Sequence, residues 1–155
     1  MDIILNERRL RVYRNGDVYS WKYNKKIGVH YVQVKNTPND KDGYNAITCN
    51  KKRYFRHRIM GYCFLGLDID DPKQQIDHID RIKLNNHISN LRIVTNQQNQ
   101  FNRGAKGYCW NKQKNKWHSS IALNGKTKFL GYFNDEDDAH NAYIEAKKIY
   151  HNFYE

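Results

Sequence analysis

The chain has 155 residues, room for one ordinary domain or two to three small ones, and at 39% apolar content it can bury only a thin core. A formal net charge of +11 favours a polyanionic partner, nucleic acid first, and no run approaches the ~18 apolar residues of a spanning helix, which excludes a membrane protein of that kind. Cys49, Cys63 and Cys109 form no CxxC pair and the first residues lack a signal-peptide stretch, so a zinc ribbon and secretion are set aside for a reducing, intracellular setting.

The charge is uneven. Residues 1–54 carry +7, against +2 for residues 55–103 and +2 for residues 104–155, so the N-terminal third is the most basic part. That third reads as strands. In "RVYRNGDVYSWKY" Val12 and Val18 alternate with polar neighbours around Asn15-Gly16, a hairpin-turn dipeptide. "VHYVQVK" alternates again, and "DGYNAITCNKKRYF" places a second turn at Asp42-Gly43. The segment "YFRHRIMGYCFLG" is compact and apolar and closes on Gly66, which predicts a short buried helix with a glycine cap.

Residues 75–79 predict a strand, and "LRIV" a second one beyond a polar loop. Thr95 and Gln98 have the spacing of a capping box, opening a helix almost wholly polar, with Phe101 its one anchor. Such a helix cannot be held by a core alone and needs neighbours for its polar face. Asparagine crowds this region although it favours neither helix nor strand, so its amides serve something other than packing.

After a linker at residues 103–106, "KGYCWNKQKNKWHSSIALNGKTKFLGYF" predicts a three-stranded antiparallel meander turning at Asn124-Gly125. Asn134 is the expected cap of a final helix, with Asp135, Glu136 and Asp137 in its first turn. Its expected apolar face is Ala139, Ala142, Tyr143, Ala146, Ile149, Tyr150 and Phe153. Residues 106–134 hold +6 and residues 135–155 hold −4, so a basic sheet backed by an acidic helix would offer its sheet to a phosphate backbone.

Chemistry concentrates at Asp77-His78. Adjacent strand residues point to opposite faces unless the strand ends there, and at a strand end both can reach one site. His78 is a candidate general base, because a neutral imidazole can deprotonate water near neutral pH. Asp77 offers a carboxylate oxygen to a hard cation such as Mg²⁺, and Asn99, one turn into the polar helix, is a second oxygen donor. Among other histidines, His57 reads as packed or hydrogen-bonded rather than catalytic, and His87 as a phosphate contact or a solvated loop residue.

In order along the chain, Asp77-His78, Asn85-Asn86, Asn90-Leu91 with "RIV", Thr95, and Asn99 with Asn102 closely resemble the HNH endonuclease family, in its phage and intron homing branch. That resemblance spans about residues 12–103 and implies a ββα-metal fold cutting double-stranded DNA. It assigns His78 to activating water and Asp77 with Asn99 to one divalent metal, Mg²⁺ or alternatively Mn²⁺. Asn86 would tie the loop together and orient the histidine strand; charge and proximity in sequence alone, not the resemblance, make Arg92 and Arg103 the expected phosphate contacts. In the C-terminal part, Gly107, Trp117, "NGK", "LGYF", Ala139, Ala142 and Tyr143 resemble the Apetala/ethylene-response-factor DNA-binding domain. This implies a sheet lying in the major groove, with Trp110, Lys112, Lys114, Lys116, Lys126 and Lys128 on the DNA. Lysine stands where family members present arginine, which loosens base reading, since lysine acts as a point charge.

The expected fold class is α+β: N-terminal hairpins in residues 1–54, the ββα-metal nuclease in residues 55–103, and a three-stranded sheet packed on one helix in residues 104–155. The expected protein is a homing-type endonuclease of a phage, viral or organellar mobile element, a monomer or weak dimer without membrane contact. The alternatives are a non-catalytic DNA-binding regulator with a vestigial nuclease centre, and a nuclease acting on RNA.

Overall fold

A computed structural model describes residues 1–102 and 104–151, and the chain divides into two compact units, Met1–Asn96 and Gln97–Glu155. The first unit opens with β1 (Asp2–Leu5), β2 (Arg8–Val12), β3 (Val18–Asn24) and β4 (Gly28–Gln33), an antiparallel sheet in chain order. Alternation sorts its faces: Leu10, Val12, Val18 and Ser20 are buried, while Arg9 and Trp21 face solvent. Asn15-Gly16 lies in the β2–β3 connection, as predicted, with the Gly16 N–H bonded to the Tyr13 carbonyl at 3.0 Å.

Two reversals escape the sequence reading. Asn6-Glu7 turns β1 into β2, with φ of 43° and 67°. Asn50-Lys51, with φ of 41° and 69°, turns β5 (Ala46–Cys49) into β6 (Lys52–Phe55). Positive φ at both central residues matches the twist of the flanking strands, and a leading asparagine tolerates it without glycine following. Asp42-Gly43 does form a turn, the Gly43 N–H reaching the Asp40 carbonyl at 3.2 Å, but it precedes β5 instead of joining two strands.

Helix α1 (Arg56–Phe64) follows at once and ends as expected before Gly66, whose φ is 80°. Next come β7 (Gln75–His78) and β8 (Leu91–Val94), an antiparallel pair with Asp77 opposite Arg92 and His78 opposite Leu91. One core unites all of this: Leu10, Val12 and Val18 of the first sheet pack with Ile47, Tyr54, Ile59, Met60, Ile76 and Leu91. The boundary expected after residue 54 is crossed by this core, which puts the hairpins and the β7–β8 pair in one unit.

Helix α2 (Asn96–Phe101) starts at the last residue of the first unit and otherwise belongs to the second. Phe101 is its buried residue and stacks on the His151 ring at 3.9 Å. The meander is β9 (Tyr108–Asn111), β10 (Lys116–Leu123) and β11 (Lys126–Phe133), with β10 central. Asn124-Gly125 makes its predicted turn, with φ of 50° and 73°. Helix α3 (Glu136–Tyr150) packs on this sheet through Ile121, Tyr143 and Ala146. Its cap is Asp135 rather than Asn134: the Asp135 carboxylate accepts the Asp137 N–H at 2.7 Å and adds the negative charge a helix N-terminus favours. Ile149, expected on the apolar face, is 68% exposed, and Phe153 lies outside the described residues. Gly107 is required by contact: a Cβ there would sit 2.0 Å from the Tyr143 ring, at a backbone φ of 76°. The architecture is α+β, as expected, and among the described residues no helix is long and apolar enough to cross a membrane.

Candidate active site

The last two residues of β7 are the chemical pair, and both are buried, Asp77 at 6% and His78 at 5% exposure. Strand pairing fixes them from one side. From the other, α1 places Gly61 so close to β7 that an added Cβ would lie 2.6 Å from Ile76 Cδ1. The loop from β7 to β8 is built of asparagine bonds. Asn90 accepts the Asp80 N–H at 3.0 Å and donates to Asp80 Oδ1 and to the Asn85 carbonyl, both at 2.9 Å. Its own carbonyl accepts the Ile79 N–H at 2.9 Å. Asn90 is therefore a loop brace beside Asn86, whose Nδ2 also bonds the Leu84 carbonyl within the loop.

Asn86 acts on the histidine. Its Oδ1 lies 3.3 Å from His78 Nε2. A carbonyl can only accept, so the Leu84 carbonyl fixes the donors around it: Asn36 Nδ2 at 2.7 Å and Asn86 Nδ2 at 3.1 Å. Asn86 Nδ2 also donates to Asn36 Oδ1, at 3.3 Å. These bonds orient the Asn86 amide with Oδ1 toward His78, so Nε2 carries the hydrogen and the basic lone pair sits on Nδ1. Gly16 backs this arrangement, since a Cβ on it would meet the Asn86 backbone at 2.9 Å.

Around His78 lies a ring cluster that the sequence did not announce. The His57 ring meets it edge-on at 5.2 Å, Phe55 stacks on His57 at 5.4 Å, and Tyr44 approaches both histidines, at 5.0 Å and 6.0 Å. Burial, then the neighbouring His78 and Arg58 charges, hold the His57 imidazole down to about 3. His57 is thus a neutral packed ring, as its sequence context suggested. Burial also lowers the His78 imidazole below its ordinary value, while the Asn86 bond and the Asp80 and Asp77 carboxylates offset part of that.

Arg56, first residue of α1, ties this corner together. It is 1% exposed and donates to Asn45 Oδ1 at 2.7 Å, to the Gly16 carbonyl at 2.9 Å, and to the carbonyls of Val34 and Lys35 at 2.7 and 3.0 Å. Burial lowers its guanidinium to about 10, still a cation at neutral pH. Arg92, expected on phosphate, is placed against the acid instead: its Nε and a terminal nitrogen donate to Asp77 Oδ2 at 2.9 and 2.7 Å.

A buried carboxylate oxygen is a donor a hard divalent cation accepts, so Asp77 fits the implied metal. Among the described residues no group of three or more His, Cys, Asp or Glu side chains could hold an ion, which leaves oxygen donors of other types to complete a shell. Asn99, the expected amide donor, stands on α2 in the second unit. Arg103 lies outside the described residues.

The second unit sorts its cations by strand register. Trp110 pairs with Trp117, ring to ring at 5.2 Å, on the side of the sheet that carries Ile121 and α3. Lys128 lies opposite Ile121 and reaches Tyr150 of α3, its Nζ 4.2 Å from the ring centre, and Lys126 opposite Leu123 falls on the same side. The open side carries Lys116 together with a His118–Phe129–Tyr132 ring cluster, while Lys112 and Lys114 occupy the β9–β10 turn.

Residues 54–101, from β6 through α2, match the family model described as HNH endonuclease. That segment is similar to HNH endonuclease domains. A mimivirus protein of Acanthamoeba polyphaga mimivirus, "Uncharacterized HNH endonuclease L560", is 35% identical over 82 residues, 50% of this chain and 44% of the relative. A Bacillus subtilis (strain 168) protein, "SPbeta prophage-derived putative HNH homing endonuclease YosQ", is 40% identical over 58 residues, 37% of this chain and 32% of that one. The chain thus spans less than half the length of these curated relatives. The solved HNH homing endonuclease I-HmuI is similar at 26% identity and a TM-score of 0.44, covering 79% of this chain and 70% of that chain.

Proposed function

We propose that this protein is a metal-dependent, homing-type DNA endonuclease that hydrolyses phosphodiester bonds of duplex DNA at the Asp77-His78 centre. The observation that carries the reading is the buried His78 ring, its Nε2 held by Asn86 and Asp77 beside it, inside the segment matched by the HNH endonuclease model. His78 Nδ1 takes the proton of the attacking water, and Asn86 keeps the imidazole in the tautomer that can do so. Asp77 and Asn99 are the residues that would hold one divalent ion, Mg²⁺ or Mn²⁺. Such an ion supplies Lewis-acid stabilisation of the charge developing on the phosphate and the leaving oxygen.

The second unit serves as the duplex-binding module, in the manner of the Apetala/ethylene-response-factor domain. Lys116 on the sheet's open side, with Lys112 and Lys114 in the adjoining β9–β10 turn, supports this as a place where a phosphate backbone can be met. A mobile-element setting is supported by the viral and prophage sources of the relatives.

The test is plasmid cleavage by the full chain. Wild type is expected to relax supercoiled plasmid with Mg²⁺ and to stop in EDTA, and His78→Ala to lose at least ~10²-fold in rate, the usual size of a general-base contribution. Wild-type protein that binds plasmid yet never nicks it with any divalent metal sinks the enzyme reading and leaves a DNA-binding regulator with a vestigial centre.

A further inference from the structure

Two N–H groups of Arg92 converge on a single oxygen of Asp77, at 2.9 and 2.7 Å. This is not the fork in which a guanidinium shares both carboxylate oxygens. The same protein shows that fork at its surface, where Arg11 takes Oδ1 of Asp2 at 2.7 Å and Oδ2 at 2.9 Å. The sheet imposes the Asp77 pairing, because the two residues stand directly opposite on β7 and β8. Exposure is lopsided as well: the Asp77 side chain is 7% exposed and Arg92 23%, so the guanidinium is the partner with a route to solvent.

A carboxylate this buried needs a counter-charge to be tolerated before any ion arrives. Arg92 supplies one, on an acid whose chemistry suits a hard cation. A guanidinium and a divalent ion on one oxygen repel each other, and little water screens them there. We propose that Arg92 is a placeholder for the divalent cation: it neutralises Asp77 in the metal-free protein and moves from Oδ2 to a phosphate oxygen of DNA once the ion is bound. This rests on the reading of Asp77 as a metal ligand. It makes Arg92 a positioning residue in the metal-free protein and a phosphate contact in the complex, which links loading of the site to grip on the backbone.

The experiment titrates Mg²⁺ alone into the full chain, followed by calorimetry and by the ¹⁵N–¹H resonance of Arg92 Nε, assigned through its absence in Arg92→Lys. Binding is expected to vanish in Asp77→Asn. In wild type the Nε–H resonance should leave its hydrogen-bonded position in step with Mg²⁺ occupancy. Arg92→Gln should bind Mg²⁺ roughly tenfold tighter, the equivalent of one charge-assisted hydrogen bond no longer displaced. Asp77-dependent Mg²⁺ binding with the Arg92 resonance unmoved overturns the placeholder and leaves the metal site standing. Absence of any Asp77-dependent binding overturns the metal site, and the placeholder with it. If Arg92→Gln fails to fold, the wild-type resonance decides alone.

Discussion

His57 and His78 show how one residue type takes two roles from surroundings alone. Both rings are buried and touch edge-on, but only His78 has an amide oxygen on Nε2, and only His78 follows the Asp77 carboxylate. His57 has rings on its faces, so its neutral form is the one that packs. Its imidazole titrates near 6.5 when unfolded and at about 3 when folded. Below the first value the unfolded chain binds a proton that the folded chain refuses. The His57 contribution to stability is therefore complete above about 6.5 and drains as pH falls toward 3, by at most about 1.4 kcal/mol per pH unit. Urea midpoints between pH 7.5 and pH 5 should fall less steeply in His57→Phe, which keeps a ring but cannot take a proton. Equal slopes in the two proteins would mean that His57 does not titrate on unfolding.

At the level of elements, α1 matters less for its helical pattern than for its first residue. Arg56 gathers oxygen acceptors from the β2–β3 connection, the residues just after β4 and the segment before β5, and no carboxylate is among them. Replacing it by methionine keeps volume but leaves those buried acceptors without donors. Arg56→Met should cost on the order of 3–5 kcal/mol, read as a lower urea midpoint with an unchanged m-value. A loss under about 1 kcal/mol would mean that water replaces the guanidinium. These partners also mark where sequence reading ends. Asn15-Gly16 and Asn124-Gly125 announced their turns because the residues that need positive φ are themselves the signal. Asn6-Glu7 and Asn50-Lys51 make similar turns without glycine and passed unread. Asp77, His78 and Asn86 were legible because the motif orders them within one short stretch. Arg56, Tyr44 and Asn36 were not, since they reach the site from outside it through contacts 11 to 50 residues apart. The division of labour between Asn86 and Asn90 needed hydrogen-bond directions, which a string of asparagines does not contain.

On the scale of the whole molecule, two cores of unequal size hold the chain. Among the described residues the first joins thirteen buried side chains, from Leu5 to Leu91, and the second joins Ile121, Tyr143 and Ala146. Apolar burial sets most of the stability of a small unit, so the second should unfold at the lower temperature. Calorimetry of the full chain is expected to show two transitions rather than one, because among the described residues each unit has a core cluster of its own. Gly107→Ala assigns them. A methyl group there collides with the Tyr143 ring at 2.0 Å, and the backbone cannot yield cheaply at a φ of 76°. That substitution should lower the first transition by several degrees, the shift expected of a few kcal/mol in a unit this small, and leave the second in place. Arg56→Met should do the reverse. A single peak whose calorimetric and van't Hoff enthalpies agree, or one substitution moving both transitions together, would show that the two units unfold as one.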